Sequence, residues 1–83
     1  MTWFLVETFA PSAQALGAID ASIEASLVSV PGVTHLASLL IPEDETCFHI
    51  FDAADRDSVA GVSAAAGLTP LRIVETLFRE HWG

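Results

Sequence analysis

The sequence predicts an α+β domain whose elements follow the order β-α-β-β-α-β. The first indication is a hairpin: the strand-like run 33–41 ends at an acidic turn, and a second strand, 47–52, follows. The second is that a strand and a helix precede this hairpin, while a helix and a strand follow it. This order is the ferredoxin-like plan, in which an antiparallel sheet of order 4-1-3-2 carries two helices on one face. We expect residues 1–83 to form a single domain of this kind.

The first strand and helix are predicted from composition and spacing. Residues 3–8 (WFLVET) are rich in aromatic and β-branched side chains, as strands are. Ser12 is a suitable N-cap for the helix that follows, and Pro31 with Gly32 forms a turn at its exit. Between them, apolar side chains recur at the three- and four-residue spacing of one helix face: Leu16, Ile19, Ile23 and Leu27. Asp20 and Glu24 fall on the other face.

The second helix has clear start and stop signals. Asp55 can accept hydrogen bonds from first-turn amides. Val59 and Val62 belong to the inward stripe. Gly67 suits the left-handed position after a helix, and Pro70 prevents continuation. Residues 72–78 then form the last strand.

Strand alternation divides the side chains between a helix-covered face and an open face of the sheet. We assign five apolar side chains to the covered face: Phe4, Val6, Phe48, Ile50 and Val74. Three polar side chains from adjacent strands then share the open face: Glu7, His49 and Glu75.

The facing of the second strand depends on the length of the hairpin turn. A five-residue turn puts His35, Ala37 and Leu39 on the open face, with Leu36 and Leu40 under the helices. A four-residue turn inverts this arrangement, because a slip of one residue moves every side chain to the opposite face. We favour the five-residue turn because it groups the polar side chains.

Composition excludes some functions and points to a partner. The 11 acidic residues against three basic ones give a net charge of −8, which argues against nucleic acids and anionic membranes. An apolar fraction of 52% exceeds what so small a core needs, so we expect a homodimer that covers the open face. The single cysteine, Cys47, and the lack of a signal-peptide pattern favour the cytoplasm.

The set Glu7, His49 and Glu75 is the best candidate for chemistry. A histidine beside carboxylates can act as a general base, with Glu7 or Glu75 as the acid or orienting group. The same set, joined by His35 if the five-residue turn is correct, can bind a divalent metal. The alternative is that the acids are surface groups and His49 is a packed histidine with satisfied hydrogen bonds. His81, near the C-terminus, is a possible further surface ligand.

Four segments of the chain resemble a family of small actinobacterial proteins labelled nickel-responsive or nickel-binding. They are FLVETF at 4–9, Val33-Thr34, TCFHIFDA at 46–53 and AAAGLTPLRIVET at 64–76. The resemblance implies a ferredoxin-like homodimer that binds nickel or another divalent metal, with Glu7 and Glu75 at matching positions. The chain differs from the family at three positions. It has Thr8 where the family has arginine, Ala37 where the family has histidine, and His49 where many members have cysteine.

Three functions are compatible with these observations. The first is a dimer that binds a divalent metal, or a small ligand, on the open sheet face. The second is a cofactor-free isomerase or cyclase, in which His49 moves a proton in an apolar cavity of a dimeric α/β barrel. The third is an interaction module without chemistry.

Overall fold

The computed structural model of the protein describes residues 2–77. The predicted end of the last strand at residue 78 and the prediction made for His81 therefore lie outside the described residues. The strands and helices, in chain order, are β1 (Thr2–Phe9), α1 (Ala13–Leu27), β2 (Thr34–Ile41), β3 (Thr46–Ala53), α2 (Arg56–Ala65) and β4 (Arg72–Thr76). A 3-10 turn, Pro42–Asp44, lies between β2 and β3.

The four strands form one antiparallel sheet in the order β2-β3-β1-β4, with both helices on one face. This is the predicted 4-1-3-2 order counted from the other edge, and the ferredoxin-like fold is confirmed. The two longest strands, β1 and β3, pair in the middle over eight residues. Side chains on their helix-covered face are therefore shielded on every side.

The predicted caps begin and end the helices. The Ser12 hydroxyl accepts a hydrogen bond from the Ala15 amide at 3.1 Å and starts α1. The Asp55 carboxylate accepts from the Ser58 amide at 2.8 Å and starts α2. Gly67, at φ +75°, ends α2 in the left-handed region, where a side chain would be strained. The local sequence thus fixes where each helix meets the sheet.

The hydrophobic core lies between the sheet and the helices. Its buried members come from five of the elements and from the loop before β2: Phe4, Val6, Ile23, Val33, Phe51, Ala53, Val59, Val62 and Ile73. Among residues 2–77, Phe51 and Ile23 are the largest side chains without solvent exposure. Each fully buried side chain of this size contributes about 1.5–3 kcal/mol to folding.

The predicted facing is correct for β1 and wrong for β3 and β4. Phe4 pairs with Phe51 and Val6 with His49, so Phe51 and His49 share the covered face. Phe48 and Ile50 line the open face instead. In β4, Ile73 is buried and Val74 is not. Since β3 carries apolar side chains on both faces, hydrophobicity alone cannot choose its register.

The hairpin turn has four residues, 42–45, because Ile41 pairs with Thr46. The favoured five-residue turn is therefore wrong. Ala37 and Leu39 nevertheless lie on the open face, as predicted. The reason is that they pair with Ile50 and Phe48, which also face that side, so the wrong turn length and the wrong facing of β3 cancel for these two residues. A β-bulge between His35 and Ala37 changes the alternation and turns His35 to the helix-covered side. Leu36, predicted under the helices, borders the open face.

Within residues 2–77, neither helix combines the length and the apolar character that crossing a membrane requires.

We predict that Phe51→Ala lowers the free energy of unfolding by about 3–5 kcal/mol, as truncations of buried aromatics do. Phe48→Ala makes the same change on the open face of β3. It should lower the free energy of unfolding by less than half as much, since Phe48 is only partly buried. Urea denaturation of dilute protein measures both values. Equal losses would contradict the observed facing of β3.

Candidate metal centre

The structure does not bring Glu7, His49 and Glu75 together. Glu7 lies on the open face, where its carboxylate accepts a hydrogen bond from Arg72 Nε at 2.7 Å. Glu75 is exposed on edge strand β4 and pairs in register with Phe4, on the helix side. His49 is fully buried under the helices. The prediction that these three share one face is wrong, because β3 and β4 have the opposite facing.

Two of the four predicted metal ligands do meet, on the other side of the sheet. The rings of His35 on β2 and His49 on β3 lie with their centroids 5.8 Å apart. The β-bulge brings His35 to this face, where its ring stacks on Phe51 with centroids 5.1 Å apart. Packing against a buried aromatic fixes the orientation of the His35 ring.

Asp20 completes the cluster from above. It lies on α1, and its Oδ1 is 3.7 Å from His49 Nδ1. Ligand atoms of Asp20, His35 and His49 all lie within 4.8 Å of one another. The Asp20 side chain is 37% exposed, whereas those of His35 and His49 are 8% and 0% exposed. The cluster is thus buried on the sheet side and reachable past the carboxylate.

The Ser38 hydroxyl lies among these three side chains. It donates a hydrogen bond to Asp20 Oδ1 at 2.6 Å. Its oxygen is also 2.9 Å from His49 Nδ1 and 3.0 Å from His35 Nε2. One hydroxyl therefore connects α1, β2 and β3 by polar contacts.

The far nitrogen of each ring also has a polar neighbour. His49 Nε2 is 3.2 Å from the Thr8 hydroxyl of β1, in a buried contact. His35 Nδ1 is 3.5 Å from Glu24 Oε1, which projects from α1 one turn after Asp20. Each imidazole is therefore held at both nitrogens, which fixes its position and restricts its tautomer.

Burial lowers the pKa of His49 from 6.5 to about 4. Desolvation of the charged ring is the main cause, the nearby His35 adds to it, and the Asp20 carboxylate opposes it. His49 is therefore a neutral imidazole at physiological pH. A neutral imidazole can ligate a metal ion, whereas an imidazolium cannot.

Cys47 lies beside the cluster as a buried thiol, with Sγ 3.9 Å from His49 Nδ1. Burial and, second, the charge of Asp20 raise its pKa. A protonated thiol is a poor nucleophile, so the geometry gives no support to a reactive cysteine.

The sequence interpretation missed Asp20 because helical periodicity put it on the polar face of α1. That face does not point wholly to solvent, since the helix packs over β2 and Asp20 is half-buried there. The available signal was the spacing of Asp20 and Glu24, which puts two carboxylates one turn apart.

The open face carries a different feature, a groove of about 650 Å³. Apolar side chains from β1, β2 and β3 form most of it: Trp3, Leu5, Leu36, Ala37, Leu39, Phe48 and Ile50, with Ser38 of β2 and Thr76 of β4. Glu7, His49 and Glu75 do not border this groove. The predicted roles of Glu7 and Glu75 stay predictions.

Comparison with known proteins establishes the fold. No family model and no curated protein matches this chain. Among solved structures, it is similar to SCO4226 from Streptomyces coelicolor A3(2), with a TM-score of 0.81 and 15% identity. The match covers 94% of this chain and 99% of that one. At this identity the likeness supports the ferredoxin-like fold alone.

We predict that His49 makes the protein less stable in acid. Its pKa in the folded state is about 4, below the usual 6.5, so the unfolded chain binds the proton more readily. The free energy of unfolding should fall by on the order of 3 kcal/mol from this residue as the pH drops from 6.5 to 4. Denaturation curves of the protein and of His49→Gln at both pH values isolate this contribution. Parallel pH dependences would contradict the burial of a neutral His49.

Proposed function

We propose that this protein binds a divalent transition-metal ion beneath α1, through Asp20, His35 and His49. The observation that carries the proposal is that one carboxylate and two imidazoles from three elements offer ligand atoms within 4.8 Å. Two nitrogens and one oxygen suit nickel, zinc, cobalt or copper(II), whereas magnesium and calcium prefer oxygen ligands. The nickel suggested by the family resemblance belongs to the first group.

The spacing of the Asp20 and His49 donors suits an ion of this size. Ligands of a tetrahedral site with bonds of about 2.1 Å lie about 3.4 Å apart. The 3.7 Å between Asp20 Oδ1 and His49 Nδ1 differs from that value by an amount that a small side-chain rotation removes. The exposed edge at Asp20 provides a path of entry and room for water ligands.

The groups behind the rings also suit a metal site. A ligating histidine usually donates its other N–H to a carboxylate, carbonyl or hydroxyl group. If His49 ligates through Nδ1, its Nε2–H can donate to Thr8 Oγ1 at 3.2 Å. If His35 ligates through Nε2, its Nδ1–H can donate to Glu24 Oε1, 3.5 Å away. Both acceptors are in position for the tautomers that metal binding requires.

We predict that isothermal titration of nickel or zinc into the protein at pH 7.5 gives one ion per chain. Asp20→Asn and His35→Gln should each weaken binding by more than roughly 100-fold, beyond the usual cost of losing an outer partner. Neither change should unfold the protein, because both side chains keep their approximate volume.

Matched controls separate this site from binding to an acidic surface. Glu75→Gln removes an acid from the predicted open-face set, and Glu43→Gln removes one from the exposed acidic turn. Both controls should bind the ion as the unaltered protein does. Equal weakening in Asp20→Asn and in the controls would reject the site, as would the absence of binding.

We also propose that a second copy of the chain covers the open face. The face is largely apolar, and the opposite charges of Glu7 and Arg72 neutralise each other in an ion pair. For a chain of net charge −8, a face on which, among residues 2–77, Asp52 is the main uncompensated charge allows two copies to meet with less repulsion than the acidic remainder of the surface. Two identical faces can pack about a two-fold axis, the commonest arrangement of homodimers.

We predict that sedimentation at micromolar concentration detects a dimer. Leu39→Glu should produce monomers, because Leu39 is 60% exposed in the isolated chain and lines the groove. Val28→Glu, an apolar-to-acid change at an even more exposed position at the end of α1, should leave the dimer intact. A monomeric protein, or equal effects of the two changes, would contradict an open-face interface.

A further inference from the structure

We infer that the Ser38 hydroxyl competes with the metal ion for one position: it holds the centre of the donor cluster in the metal-free protein and rotates away when an ion binds. The inference rests on the proposed metal site. It concerns a residue that is not one of the ligands and that sets how tightly the ion is held.

A count of donors and acceptors fixes the metal-free arrangement. The short contact with the Asp20 carboxylate uses the single Ser38 proton, since a carboxylate only accepts. His49 Nδ1, 2.9 Å from the same oxygen, must then carry a proton and donate it. His35 Nε2 is also protonated, because it lies 3.1 Å from the carbonyl oxygen of Ala37, which only accepts. Both ring nitrogens that face Ser38 are therefore N–H groups.

Geometry makes the hydroxyl and the ion mutually exclusive. The Ser38 oxygen is 2.6, 2.9 and 3.0 Å from the facing atoms of Asp20, His49 and His35. A fourth ligand of a tetrahedral ion lies about 3.4 Å from the other three. The Ser38 oxygen is therefore closer to each of these three atoms than a fourth ligand would be, and its three distances are nearly equal. It occupies the position that the ion needs.

Binding then exchanges one set of contacts for another. Rotation of Ser38 about its Cα–Cβ bond, between staggered rotamers, removes the hydroxyl from the centre. The two ring nitrogens that face Ser38 lose their protons, and each ring then carries its N–H at the nitrogen that faces Thr8 or Glu24. The ion must therefore replace the three contacts of the Ser38 hydroxyl and the His35–Ala37 hydrogen bond of the metal-free protein, each of which contributes about 0.5–1.5 kcal/mol. This exchange makes zinc binding weaker than the ligands alone would give.

The direct test is zinc titration of Ser38→Ala. Removing the competitor should tighten zinc binding by about tenfold or more, the value of one to three lost hydrogen bonds. Ser22→Ala is the matched control, since the exposed Ser22 hydroxyl donates a hydrogen bond to the Ala18 carbonyl within α1, away from the cluster. Unchanged or weaker binding by Ser38→Ala would overturn the inference, because it would make Ser38 a bystander or a ligand.

The outcome also distinguishes the inference from the proposed function. If the unaltered protein binds zinc and Ser38→Ala binds it no better, the metal site stands and the competitor role fails. If only Ser38→Ala binds zinc, the competitor role stands and the native metal function fails. If neither binds, both are rejected.

A second measurement uses the unaltered protein and does not depend on the folding of a variant. Three-bond NMR couplings report the χ1 rotamer of Ser38 with and without zinc. The rotamer should change when zinc binds, and that of Ser22 should not. An unchanged Ser38 rotamer in the zinc-bound protein would overturn the inference.

Discussion

The candidate site depends on one constraint, the burial of a neutral histidine between the sheet and α1. His49 has no solvent exposure, so each of its ring nitrogens needs a partner from the protein. Thr8 satisfies one nitrogen from β1, and Ser38 satisfies the other from β2. The Ser38 hydroxyl in turn donates a hydrogen bond to Asp20 on α1. One buried ring thus connects three strands and a helix, and it creates the polar cluster that we propose as a metal site.

The two faces of the sheet divide the possible functions between them. The helix-covered face holds the polar cluster, and the open face holds the apolar groove. A β-bulge in β2 produces this division, because it turns His35 inward while Leu36 and Leu39 border the groove. Since metal and partner would occupy opposite faces, a change on one face need not affect the other.

The sequence predicted the fold well because its local signals agree. Ser12, Asp55 and Gly67 act through a few neighbouring residues, and each performs the role that its chemistry indicates. The site was predicted only in part, since it depends on register. β3 reads TCFHIFDA and is apolar on both faces, so no pattern reveals that His49 points inward. The spacing of Asp20 and Glu24 puts two carboxylates on one side of α1, but only the packing of that helix over β2 brings Asp20 to the site.

Anomalous diffraction from crystals soaked in nickel, recorded at the nickel absorption edge, tests the central claim most directly. The account predicts one strong peak per chain beneath α1, within bonding distance of Asp20, His35 and His49, with the Ser38 hydroxyl turned away. A peak beside Glu7 or Glu75, or peaks only along the exposed acidic turn, would contradict it.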